Sequence, residues 1–277
     1  MAFLRVREIL KQADEKKTSV IAFNCIDYST IYSVIAVAEE LNKPAICMLY
    51  PEHAYGKNVI NLAGFASTVK SLAERVSVPI GVHLDHSSDY SFIIEAIKSG
   101  FTSVMYDGAM LPLEENIANT RKVVETAHLL GADVEAELGY IGLAEKDLDT
   151  DAYTQPEIAA RFVNETGVDS LAIAIGSAHG IYASTPHLDL QRLDEINAAT
   201  EAFLVLHGGT GIPEDQLEAA FTRGINKLNV GTEYLRLWKS SMAKYTMDET
   251  CLPEEAPGKV QEQLMNYLRK KMQLTKM

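Results

Sequence analysis

Three histidines carry the first chemical argument. His86, His179 and His207 each stand just past a short apolar run, beside Asp or Gly, in the segments HLDHS, GSAHG and LHGGTG. Neutral imidazoles converging from different strands bind Zn²⁺ and leave one coordination position open. An open position lets a metal polarise a substrate carbonyl. The other histidines lack that setting. His53 and His187 are expected in loops and His128 on a helix face. His83 lies inside a strand two residues before Asp85, on the same face, where it can support a ligand from behind.

Carboxylates accompany the histidines. Asp85 immediately precedes His86. Beside a divalent metal such a group stays ionised and serves as general base or acid; the plainer reading is a carboxylate that orients His86. Asp107 and Glu137 end neighbouring strands, either as an alternative metal position or as a buried hydrogen-bonded pair. Two Gly-rich turns follow, HGGTGI (207–212) and NVGT (229–232). A pair of turns after strands seven and eight matches the place where barrels hold phosphate by backbone N–H groups and a helix N-terminus.

The elements that must position these groups alternate along the whole chain. Strands are expected at 19–24, 44–49, 79–85, 102–107, 132–138, 170–176, 203–207 and 225–230. Most are nearly continuous in apolar residues, as strands covered on both faces are. Helical patterns lie between them at 28–41, 59–75, 90–99, 113–130, 155–166, 190–199, 214–223 and 233–245. Eight β-α repeats predict an α/β fold, a (β/α)8 TIM barrel, forming a single domain over 1–277. A doubly wound sheet is the runner-up, but no GxGxxG follows the first strand. Residues 250–277, ending in a Lys-rich helix, read as a C-terminal tail available for oligomer contacts.

The chain has 277 residues, 47% apolar and 23% charged, within ordinary globular usage. Its net charge of -13 argues against nucleic acid and against anionic membrane surfaces. Cys25, Cys47 and Cys251 are widely spaced and odd in number, so reduced thiols are expected. The N-terminal residues lack the apolar core of a signal peptide, and a soluble, cytoplasmic protein is expected.

VHLDHSSDY, GFTSVMYDGA, LPLEENI, VEAELG, TGVDSLAIAIGSAHGIY, FLVLHGGTGIP and INKLNVGTE, in this order and spacing, resemble the signatures of the class II, zinc-dependent ketose-bisphosphate aldolases. The likeness runs from Val20 to Trp238 and lies nearest the tagatose- and fructose-bisphosphate enzymes. It implies that His86, His179 and His207 bind Zn²⁺, and that Asp107 and Glu137 match a secondary metal position. It implies that Asp85 exchanges a proton with the C4 hydroxyl during C3–C4 cleavage. Glu145 would handle the C3 proton of dihydroxyacetone phosphate. Asn24, Gly180, Gly208, Gly209, Thr210, Asn229, Val230, Gly231 and Thr232 would line the dihydroxyacetone phosphate site. Gly180 would also touch a monovalent cation such as Na⁺ or K⁺. The implied partner is a small-molecule sugar phosphate, and the implied assembly a homodimer or homotetramer.

Departures from the family pattern fall outside the metal and acid/base residues. Tyr50 stands where a Ser is common, Ala183 where a Lys is common, and Ala109 where DGS is usual. Gly142-Leu143 replaces Gly-Gly, Leu235 replaces a basic residue, and Gly231 replaces the Asp of fructose-type members. The metal and acid/base set is intact while the phosphate-contacting set is eroded. A substrate other than the usual bisphosphates, a non-bisphosphate ketose phosphate among them, and ordinary drift in a bisphosphate aldolase are both open. A non-catalytic sugar-phosphate binder is the alternative from another class. A Schiff-base aldolase has little support, with Lys227 the one strand lysine to test.

Overall fold

A computed structural model describes residues 2–54, 60–139, 153–180, 182 and 184–277. Eight parallel strands close in chain order: β1 (Val20–Asn24), β2 (Ala45–Leu49), β3 (Ile80–Ser87), β4 (Ser103–Tyr106), β5 (Asp133–Leu138), β6 (Ser170–Ile173), β7 (Phe203–Leu206) and β8 (Ile225–Val230). The expected (β/α)8 barrel is what forms. Outward strand residues such as Ile21, Val82 and Leu228 join helix residues in one apolar layer between sheet and helices.

Helices fill the intervals: α1 (Val6–Glu15), α2 (Tyr28–Leu41), α3 (Pro51–Ala54), α4 (Leu62–Ala73), α5 (Tyr90–Lys98), α6 (Leu113–Leu129), α7 (Pro156–Thr166), α8 (Leu190–Ala199), α9 (Glu214–Thr222), α10 (Thr232–Thr246) and α11 (Ala256–Gln273). Short polar side chains start several of them by taking up orphan N–H groups. Asp27 accepts from the Thr30 N–H at 2.8 Å in a reciprocal capping box at α2, and Asp89 caps α5. Asn61 caps α4, so that helix starts three residues after the expected Val59, which lies outside the described residues.

Four local expectations change. The N-terminal residues form α1, which the charged residues among them disguise. Val6, Ile9, Leu10 and Ala13 recur at helical spacing and are buried, and Val6, Ile9 and Leu10 pack on Val20, Ala22, Ile46 and Met48 to plug one end of the barrel. The C-terminal residues are not a free appendage. Val260, Leu264, Leu268 and Met272 of α11 bury one stripe against the barrel's own helices, and Lys43 donates to the Met272 carbonyl at 2.9 Å. Strand β6 ends at Ile173, short of 176, because Ala174 leaves the ladder to exchange hydrogen bonds with Thr154, both at 2.9 Å. His53 belongs to the short helix α3 rather than to a loop. Among the described residues no helix is long and apolar enough to cross a membrane.

Candidate metal centre and active site

At the C-terminal ends of the strands lies a cavity of about 530 Å³. Asn24, Asp85, His86, Asp107, Glu137, His179, Gly180, Gly208, Gly209, Thr210, Asn229, Gly231 and Thr232 line it. Nearly every expected site residue is therefore in one place. His207 and Val230 are the described exceptions: His207 is fully buried, with a ligand atom within 4.8 Å of those of His86, Glu137 and His179, and alternation along β8 turns the Val230 side chain into the apolar layer. Glu145, with Gly142 and Leu143, lies outside the described residues, as does Ala183.

Asp85 and His86 are consecutive, and an ideal strand would send them to opposite faces. The pairing of β3 with β4 shifts register between Leu84 and Ser87, and His86 takes a φ of 29°. That irregularity brings both side chains into the cavity. A non-glycine residue in this conformation is strained, and such strain collects at functional sites.

Ligand atoms of His86, Glu137, His179 and His207 all lie within 4.8 Å of one another. Each of two rings has one nitrogen held by a carboxylate. His86 Nδ1 donates to Asp107 at 2.8 Å, which turns Nε2 toward the cavity side, and His207 Nε2 donates to Glu135 Oε1 at 3.0 Å. His207 Nδ1 sits 3.1 Å from Glu137 Oε2 without hydrogen-bond geometry, and both atoms are buried and unpartnered. Burying two such atoms together is costly unless something binds them. The donor set of three imidazoles and a carboxylate thus fits a divalent metal. Burial, with the neighbouring His207 and His86, pushes His179 down to about 3, so its ring is neutral and ready to coordinate. Burial opposes the charged form of His207, but Glu135 and Glu137 outweigh it and raise that ring to about 9; a bound cation would displace this proton.

The structure places Asp107 beside His86 rather than inside the four-residue cluster. Asp85 is 5% exposed. It accepts from Asn24 Nδ2 at 2.8 Å and from Asn229 Nδ2 at 3.2 Å. Burial alone would raise its pKa, yet His86, His207 and the Asn24 amide hold it below the usual carboxylate range. The expected substrate residues Asn24 and Asn229 thereby also fix the candidate base.

Glycine is required at two places here. A Cβ on Gly208, whose φ is 68°, would meet the Ala178 carbonyl, and a Cβ on Gly231 would meet the Asn24 carboxamide oxygen. Gly231 precedes α10, whose first turn has no side-chain cap, so its N–H groups stay available for an anion. Glu233 of α10 accepts the Gly211 N–H at 3.0 Å and so ties the two Gly-rich turns together.

Beneath the cluster runs a buried network that the sequence argument missed. Lys227 Nζ is 2.7 Å from Glu135 Oε2, and both side chains are fully enclosed by the barrel. Lys227 is thus a structural ion pair, outside the cavity, and not a Schiff-base nucleophile. His83 Nδ1 pairs with Ser103 Oγ at 2.8 Å, and burial with the Lys227 charge lowers its pKa to about 3. The available signal was a Glu on β5 and a Lys on β8, strands buried along their whole length, where such charges need each other.

Comparison with known proteins agrees with this geometry. Residues 4–277 match the family model of fructose-bisphosphate aldolase class-II. A probable fructose-bisphosphate aldolase of Bacillus subtilis (strain 168) is 40% identical over 237 residues, 84% of this chain and 82% of that protein. The crystal structure of the YdjI aldolase of Escherichia coli K12 superposes with a TM-score of 0.88 at 30% identity, covering 99% of this chain and 97% of that one. A putative fructose-1,6-biphosphate aldolase of Coccidioides immitis gives 0.84 at 30% identity, covering 98% and 95%. A cluster able to hold a metal, a buried ionised carboxylate beside it and these likenesses converge: the chain belongs to the fructose-bisphosphate aldolase class-II family, whose members are lyases.

Proposed function

We propose that the protein reversibly cleaves a phosphorylated ketose between C3 and C4, yielding dihydroxyacetone phosphate and an aldehyde. The observation that carries this reading is Asp85, an ionised carboxylate held by two amides in the same cavity as the ligand cluster. His86, His179 and His207 would hold Zn²⁺, with Glu137 within reach. When bound there, the ion supplies Lewis-acid polarisation of the C2 carbonyl. Asp85 takes the C4 hydroxyl proton in the cleavage direction. Backbone N–H groups of Thr210, Gly231 and Thr232 receive the phosphate of the dihydroxyacetone half, beside Gly209, whose own N–H donates to the Asn229 carbonyl at 3.3 Å. Glu145 returns the proton to C3, and a monovalent cation sits by Gly180; both assignments rest on the family resemblance. So does assembly as a homodimer or homotetramer.

A non-catalytic binder would not need a carboxylate held ionised beside the ligands, so the enzyme reading is preferred. The test is retro-aldol activity on a ketose phosphate. It should vanish with a chelator, return with Zn²⁺ and resist borohydride. Chelator-resistant activity that borohydride traps would refute the reading.

A further inference from the structure

We propose that the aldehyde half of the substrate carries no phosphate, so that the enzyme makes and breaks ketose 1-phosphates from dihydroxyacetone phosphate and a neutral hydroxyaldehyde. The proposal rests on the aldolase reading above and narrows its substrate class.

The barrel closes in chain order, so β7 and β8 lie across the mouth from β3 and β4. The Gly-rich turns and the start of α10 are on one side. They offer backbone N–H groups for one phosphate. Asp85, at the end of β3, must meet the C4 hydroxyl. Carbons beyond C4 therefore extend toward the segments after β2, β3 and β4.

The cavity wall on that side is aromatic, apolar or acidic. Tyr50 and His53 follow β2, and their rings are 5.5 Å apart. Tyr50 also stands edge-on to His86 at 6.4 Å. Ala109 and Met110 follow β4, and Met110 is 78% exposed at the mouth. The charged groups among the described lining residues are Asp85, Asp107 and Glu137, with no Lys or Arg. A phosphate dianion entering here would meet no Lys or Arg side chain among the described lining residues, while Asp107 is engaged by His86 and Glu137 belongs to the ligand cluster. A hydroxyl-bearing chain would meet hydrogen-bond acceptors and the Tyr50 phenol. Burial and the carboxylates of Glu52, Asp85 and Asp107 keep that phenol protonated, so it can donate.

The reaction balances without a further reagent. The C3–C4 bond breaks and its electron pair stays with C3, which gains a proton. The C4 hydroxyl loses its proton to Asp85 as C4 becomes the aldehyde carbonyl.

The experiment uses the full chain loaded with Zn²⁺ and dihydroxyacetone phosphate. Condensation is compared for D- and L-glyceraldehyde against D-glyceraldehyde 3-phosphate. We expect kcat/KM for the better unphosphorylated aldehyde to be at least tenfold the higher; an equal or higher value for the phosphorylated aldehyde overturns the proposal. Exchange of the C3 proton of dihydroxyacetone phosphate into deuterated water, measured without aldehyde, separates the two layers. Exchange together with a phosphorylated preference overturns only this inference. Absence of both exchange and condensation overturns the aldolase reading beneath it. Met110→Lys supplies a second arm, because an exposed side chain can change without unfolding the barrel. It should move the preference toward glyceraldehyde 3-phosphate by about tenfold, and an unmoved ratio counts against the proposal.

Discussion

Glu135 is shared between a candidate metal ligand and a buried cation: Oε1 lies 3.0 Å from His207 Nε2, and Oε2 lies 2.7 Å from Lys227 Nζ. The carboxylate thereby fixes which ring nitrogen carries the proton. It leaves Nδ1 of His207 facing His86, Glu137 and His179. Partners of this kind orient a metal-binding imidazole and raise its basicity.

Glu135→Gln should weaken Zn²⁺ binding by about 10- to 100-fold. Lys227→Met removes no group beside the metal ligands but, like Glu135→Gln, strands a charge inside the barrel and should destabilise the fold. Breaking a buried pair from one side costs about 3–5 kcal/mol. Chelator competition reads the first effect and urea unfolding the second. Unchanged Zn²⁺ affinity in Glu135→Gln would remove the positioning role.

Gly231→Ala tests the packing that holds Asp85. The new methyl would displace the Asn24 carboxamide, which donates to Asp85 at 2.8 Å. A hydrogen bond to a charged group is worth about 1.5–3 kcal/mol, so kcat/KM should fall about 10- to 100-fold. Zn²⁺ content should stay at the wild-type level. Loss of metal instead would place the damage at the ligands.

How much of this could be read from the sequence follows from the physics of each element. Strands covered on both faces appear as apolar runs, which is why the expected strand 44–49 coincides with β2 to within one residue. Strand ends mark the mouth of a barrel, so His86, His179 and His207 were legible as a group. Alternation cannot reveal the irregularity that turns both Asp85 and His86 inward. Nor does a strand pattern reveal that Glu135 on β5 finds Lys227 on β8, since that contact exists only after the barrel closes. The stripe of α1 was present in Val6, Ile9, Leu10 and Ala13, but the charged residues among them concealed it.

The C-terminal helix should behave as part of the barrel. Leu264→Ala or Leu268→Ala removes a fully buried side chain from α11. Such truncations cost about 2–5 kcal/mol. Urea midpoints should fall accordingly while Zn²⁺ affinity is kept. A change within about 0.5 kcal/mol, typical of surface positions, would mean that α11 is not docked.

His83 links acid to unfolding. Its pKa is about 3 in the fold, held there by burial and by Lys227 from β8, against Glu135 from β5 and Asp85 from its own strand. The unfolded chain titrates near the ordinary value of 6.5. Below that pH the unfolded state binds the extra proton, so stability is lost as pH falls from about 6.5 toward about 3. The slope from this one group approaches about 1.4 kcal/mol per pH unit. Urea unfolding of metal-free protein between pH 4 and 7 should show the decline, and His83→Gln should flatten it. An equally steep decline in the variant would assign the effect to other groups.

The central claim is that Asp85 performs proton transfer beside a metal it does not bind. The direct measurement is turnover and Zn²⁺ affinity of Asp85→Ala on a ketose phosphate that the wild type cleaves. Zn²⁺ affinity near that of the wild type, with turnover reduced by about 10²–10⁴-fold, is the predicted result. Turnover at the wild-type level would contradict it.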